Sequence, residues 1–172
     1  MKNPTDRSIF QNAWVVPEIE SACMRWVEEM GIGPFFINEY PYGTFDEVTY
    51  RGETADLSMK VALAQAGNIQ IELIEPISPQ CAYRDSIPIG KMGFHHMCVW
   101  THDFQSDLQY MENLGYTAAN TGKIGNVEFA YFDTRPLMDS MLEVVTYNKN
   151  TEGRFADIAA AADNWDGKDP LR

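Results

Sequence analysis

The apolar and polar positions of this chain spell the same order of elements twice. IFQNAWVV is an apolar run of strand length that ends at Pro17. In EIESACMRWVEEM the apolar residues Ile19, Ala22, Cys23, Trp26, Val27 and Met30 recur at helical spacing, and Gly31 and Gly33 stop the helix. FFINEY reads as a strand and Pro41 to Asp56 as a long, polar, turn-rich loop. LSMKVALAQAG and IQIELIEP follow as two strands about the turn at Gly67-Asn68. The second half repeats the order. FHHMCVW is a strand and DFQSDLQYMENLG a helix with Phe104, Leu108, Met111 and Leu114 apolar. YTAANTG, VEFAYFDT and SMLEVVTY supply three more strands.

Pairing Gln11 with His96, an offset of 85, lays QNAWVVPEI over HMCVWTHDF, so that Glu18 meets Asp103 at the two helix starts. IELIEP and LEVVTY align through Glu72 and Glu143. A repeat of this length is too long for a solenoid unit. It predicts an α+β fold in which two tandem βαβββ modules form one curved mixed sheet around a cleft. The modules are expected at 8–76 and 94–148, with a Pro-rich connector at 77–93 and a C-terminal helix and tail at 149–172. The tail predicts a short helix from Phe155 to Ala162 and then a mobile polar end.

Two adjacent histidines stand in GFHHMCVW. Successive strand side chains point to opposite faces, so His95 and His96 are not expected to serve one site. His96 shares its face with Phe94, Cys98 and Trp100 and aligns with Gln11, which places it inward. His95 is then expected to point toward the helix layer or solvent.

Gln11, Glu72, His96 and Glu143 are polar residues inside apolar strands, at matched places of the repeat. A charged side chain there is costly to bury unless paired or bound to a metal. A single strand glutamate is usually solvent-facing, and a single histidine on an apolar face is usually hydrogen-bonded core. Four together at equivalent positions point instead to a divalent cation, whose charge two glutamates neutralise. One nitrogen and three oxygen ligands suit zinc, iron, manganese, cobalt or nickel alike.

A net charge of −12 without a basic cluster argues against nucleic acid and against anionic membranes as partners. No apolar run approaches the roughly 18–20 residues that span a bilayer. The start, MKNPTDRSIFQ, lacks an apolar leader core. A cytoplasmic protein is expected. Cys23, Cys81 and Cys98 are odd in number and form no CxxC, which fits reduced thiols rather than disulfides or a zinc cluster.

These residues resemble the vicinal oxygen chelate superfamily, which includes glyoxalase I, methylmalonyl-CoA epimerase, extradiol dioxygenases and bleomycin resistance proteins. The resemblance runs from about Ile9 to Tyr147 and rests on GFHHMCVW before a helix, FAYFDT, and LEVV near the end. It implies one metal ion held by the first and last strand of each module, on Gln11, Glu72, His96 and Glu143. The Gln, Glu, His, Glu set is similar to that of the zinc-dependent class of glyoxalase I, so zinc is expected first, with nickel, cobalt, manganese or iron as alternatives. Glyoxalase I carries Arg, Asn and Arg at places that hold Val15, Pro76 and Met92 here, so the resemblance does not extend to a glutathione adduct. It implies an isomerase, epimerase or lyase acting next to a carbonyl on a small carbonyl or thioester substrate, in a homodimer. Glu143 is expected to take the proton and Glu72 to return it. Two alternatives stand: a non-catalytic small-molecule binding protein, and an iron-dependent dioxygenase. The 40–56 loop, with Tyr42, Phe45 and Tyr50, is a candidate lid.

Overall fold

The computed structural model describes residues 7–172; the reading of the first six as free of an apolar leader lies outside them. The first half holds β1 (Ile9–Val15), α1 (Ile19–Met30), β2 (Phe36–Tyr40), β3 (Asp46–Tyr50), β4 (Glu53–Thr54), β5 (Met59–Ala66) and β6 (Ile69–Pro76). A 3-10 turn at Ala82–Asp85 lies in the connector. The second half holds β7 (Gly93–Thr101), α2 (Phe104–Asn113), β8 (Ala118–Ile124), β9 (Val127–Phe132), a single helical turn α3 (Arg135–Met138) and β10 (Met141–Thr146). The helix α4 (Lys149–Ala162) follows. Among the described residues, all ten strands form one open, curved sheet in the order β2-β5-β6-β1-β7-β10-β9-β8-β3-β4.

The repeat is visible in the register. Gln11 lies opposite Gln70 and Ala13 opposite Glu72 in the parallel pair of the first half. His96 lies opposite Met141 and Cys98 opposite Glu143 in the second. The helix starts match as well. The Glu18 carboxylate accepts from the backbone of Glu20 and Ser21, and that of Asp103 from Ser106. Each satisfies backbone N–H groups that a helix N-terminus leaves without partners.

Alternating strand residues divide the core into layers. Ala62, Ala64, Ile71 and Leu73 pack against Ile19, Ala22 and Cys23 of α1 on the convex face. Val99, Ala130, Phe132 and Val144 pack against Phe104 and Met111 of α2. The intervening residues, among them Val61, Leu63, Ile74, Phe129 and Tyr131, face the concave side. That side is filled: Cys81, Ala82 and Tyr83 of the connector and Ile158 of α4 are buried in it.

The two central strands each carry one extra residue. Ile9 opposes Val99 and Gln11 opposes Cys98, so Phe10 bulges from β1. Ala13 opposes His96 and Trp14 opposes Phe94, so His95 bulges from β7. Phe10 and His95 are repeat equivalents, and a bulge re-aims the side chains beside it. This overturns the expectation for His95, which is buried on the same side as His96. Phe94 is corrected with it: its ring meets Trp14, which packs on Trp26 of α1. Hydrophobic alternation carries no mark of an inserted residue, so parity alone misassigned both.

The expected 41–56 loop contains a hairpin. β3 pairs with β8, and β4 returns through Arg51 and Gly52, both at positive φ. Two such residues suit the twist of a two-residue turn. The segment covers an edge that β8 would otherwise expose. Only Val48 of β3 is buried, so no apolar run announced it. Tyr50 donates to Asp85 of the connector at 2.6 Å, and Arg51 joins Asp85 and Asp133.

The tail also departs from expectation. α4 begins at Lys149, where Asn148 accepts from the backbone of Asn150 and Thr151. The last residues run beside Phe35 and Ile37, which donate to Pro170 and Arg172 at 2.8 Å each. They satisfy edge groups of β2 that would otherwise be open. Among the described residues no helix is long and apolar enough to cross a membrane.

Candidate metal centre

Three of the four expected ligands converge on the concave face. Nε2 of His96 lies 3.3 Å from Oε2 of Glu72 and 3.2 Å from Oε2 of Glu143. His96 is fully buried, and the side chains of Glu72 and Glu143 are only 13% and 10% exposed. Despite these short separations, His96 Nε2 and Glu72 Oε2 have no partner in hydrogen-bond geometry. One imidazole nitrogen and two carboxylate oxygens, buried and all within 4.8 Å of one another, fit a divalent cation. Gln11 is buried one rung away on the same face, opposite Cys98. Its Nε2 donates to Gln70 Oε1 at 2.8 Å, so its oxygen is the end a metal would take.

The charges follow from these neighbours. Burial pulls the His96 imidazole down, but Glu143 and Glu72 outweigh it and raise the pKa to about 9. Glu72 is raised, chiefly by burial and further by Glu143. Glu143 is pushed up by burial, yet the charge of His96, with the Cys98 thiol and the Tyr131 hydroxyl nearby, holds it below the ordinary carboxylate range. The two glutamates are pushed in opposite directions, Glu72 up and Glu143 down.

A pH test follows. The folded value for His96 lies above its ordinary 6.5, so its proton stabilises the metal-free fold. That contribution is complete below about pH 6.5 and lost as pH rises through about 9, as denaturation midpoints against pH should show. Divalent-ion binding should displace the same proton at neutral pH. Titration calorimetry in buffers of different ionisation enthalpy reads the number released; zero would contradict this site.

Other side chains frame the centre. His95 Nδ1 lies 2.8 Å from His96 Nδ1, and His95 Nε2 lies 3.2 Å from the Ala82 carbonyl oxygen. Burial, then the charge of His96, lowers the His95 pKa to about 3, so it stays neutral. The Tyr131 ring packs on His96 at 4.9 Å between centroids, and its hydroxyl meets that of Tyr83 at 2.8 Å. Trp14 faces α1, whereas Trp100 stacks on Phe10 at 4.3 Å and packs against Phe155 of α4. Asp133 lies in a separate ion network, bound through both oxygens to Arg135 at 2.6 Å each. Of the lid candidates, Phe45 packs on Phe129, Tyr50 is tied to Asp85 and Tyr42 is exposed. The groove between α1 and Met92, about 150 Å³ and lined by Trp26 and Met30, is separate from this centre.

A family model described as the glyoxalase/bleomycin resistance protein/dioxygenase superfamily matches residues 10–131. No curated protein matches the chain significantly. Among solved structures, methylmalonyl-CoA epimerase from Mycobacterium tuberculosis aligns with a TM-score of 0.59 at 11% identity, covering 89% of this chain and 97% of its own. A hypothetical protein from Bacillus halodurans C-125 aligns at 0.53 and 17% identity, over 84% of this chain and 97% of its own. A methylmalonyl-CoA epimerase in complex with methylmalonyl-CoA and NH4+ aligns at 0.52 and 13% identity, over 83% and 96%.

Proposed function

Because the chain belongs to the glyoxalase/bleomycin resistance protein/dioxygenase superfamily, we propose that Glu72, His96 and Glu143, with Gln11 beside them, hold one divalent metal ion for proton transfer next to a carbonyl. The observation that carries this is the buried triad whose His96 Nε2 and Glu72 Oε2 lack hydrogen-bond partners. A bound divalent ion supplies Lewis-acid polarisation of a substrate carbonyl oxygen. Zinc comes first, with nickel, cobalt, manganese and iron as alternatives.

The chain's own groups supply the rest. Glu143, buried opposite Cys98 and Tyr131 on the neighbouring strands, suits a fixed carboxylate ligand. Glu72 has an oxygen without a hydrogen-bond partner, which favours it for the first proton, with Glu143 the other candidate. Two carboxylates flanking one imidazole also suit the return of a proton to the opposite side, as an isomerase or epimerase needs. A lyase would use the same abstraction. The surrounding rings and the near-complete burial exclude water from the transfer.

The substrate class is a small carbonyl or thioester compound with an acidic adjacent hydrogen. The named activity of two structural neighbours makes CoA thioesters one group to screen. Val15 is wholly buried, so no cationic contact to a glutathione adduct arises there.

Elemental analysis of protein purified without chelators, beside Glu143→Ala, tests the reading. One equivalent of divalent metal in the wild type, lost in the variant, is expected. Iron accompanied by oxygen uptake would transfer the case to a dioxygenase. Failure to take up any ion after loading would overturn the proposal and leave small-molecule binding without turnover.

A further inference from the structure

The bulge at His95 leaves one buried group that the proton transfer does not use. His95 is 1% exposed, with its ring packed against Tyr83 and Tyr131. Its two nitrogens have different partners: the Ala82 carbonyl at Nε2 and His96 Nδ1 at Nδ1. A carbonyl oxygen only accepts, so Nε2 of His95 bears a hydrogen. The neutral ring then has a bare Nδ1, which accepts. The 2.8 Å contact therefore requires the hydrogen on Nδ1 of His96. Once a metal displaces the second proton of His96, the nitrogen left with a lone pair is Nε2, the one that faces Glu72 and Glu143.

We propose that His95 is the positioning residue of the metal centre: together with the Ala82 carbonyl it fixes both the orientation of His96 and the tautomer that presents Nε2 as a ligand. This rests on the metal-centre reading above and adds a cause for its nitrogen donor. Which ring nitrogen of a histidine binds metal is set by the hydrogen bond the other makes. Here the partner is a second histidine, brought to the site only because the strand bulges. The arrangement also makes metal affinity depend on the connector. Ala82 is buried in the concave core, and its backbone N–H donates to Asn120 Oδ1 at 2.5 Å, so its carbonyl is held from both sides.

The test uses the full-length protein with His95→Phe and His95→Gln. Zinc affinity is read by competition with a chromophoric chelator, and the His96 imidazole N–H by proton–nitrogen correlation spectra of the zinc-loaded protein. Wild type should show a slowly exchanging hydrogen on His96 Nδ1. His95→Phe should lose that slow exchange and bind zinc about 10–100-fold more weakly. Glutamine can accept from His96 and donate to Ala82, so His95→Gln should recover most of both. If His95→Phe does not fold, His95→Met takes its place as an adaptable filler without a ring acceptor. Wild-type affinity and a protected His96 N–H in the Phe or Met variant would overturn the proposal while leaving the metal centre intact. So would a Gln variant no better than Phe. A wild-type protein that takes up no zinc, nickel, cobalt or manganese defeats the metal-centre reading itself, and this proposal with it.

Discussion

Glu72→Gln is expected to slow exchange of the substrate's carbonyl-adjacent hydrogen with solvent by roughly 10²–10⁴-fold, the range for removing a general base. The amide keeps an oxygen toward His96 but cannot accept the proton. The metal should remain, because His96, Glu143 and Gln11 are untouched. Glu143→Gln should behave differently. Its carboxylate is the proposed fixed ligand, so its loss should fall first on metal retention. Deuterium exchange of α-carbonyl and thioester compounds, followed by proton NMR with metal content measured on the same samples, separates the two. A Glu72→Gln protein that exchanges at the wild-type rate with its metal in place would remove Glu72 from the proton path. The reverse pattern would restore Glu143 as the first base, as the sequence suggested.

Tyr83→Ala should be the most damaging substitution for stability. The side chain comes from the connector yet is fully buried in the concave core. Its ring packs on Tyr131 and His95, and its hydroxyl bonds Tyr131 at 2.8 Å and reaches Met59 Sδ at 3.2 Å. Truncating a buried aromatic ring costs about 3–5 kcal/mol. For a chain of this size that corresponds to a fall in Tm of about 10 °C. Tyr83→Phe keeps the ring and should cost about 1 kcal/mol for the hydrogen bond. Thermal denaturation of both variants checks the pair. A Tyr83→Ala protein within about 1 kcal/mol of wild type would mean that the connector does not plug the sheet.

Much of the frame follows from local pattern. Ile19, Cys23 and Trp26 declared α1, the gap between Gln11 and His96 declared the repeat, and Glu18 and Asp103 turned out to cap equivalent helices. The polar residues Glu72, His96 and Glu143 stood out because a strand interior tolerates such groups only with compensation. Periodicity and burial cost are properties of short segments, so one dimension holds them.

What the sequence by itself determined is therefore the duplicated α+β plan and three side chains that meet. Only the tertiary structure decided how they are held. A bulge depends on pairing between β1 and β7, and it moved His95 to the ligand face against its parity. The β3–β4 hairpin found its partner in β8, roughly 70 residues away along the chain, with one buried apolar residue to signal it. The connector read as a linker because its burial depends on a concavity that exists only once both halves have joined. Register, edges and concavity are relations between distant segments, and no local run of residues encodes them.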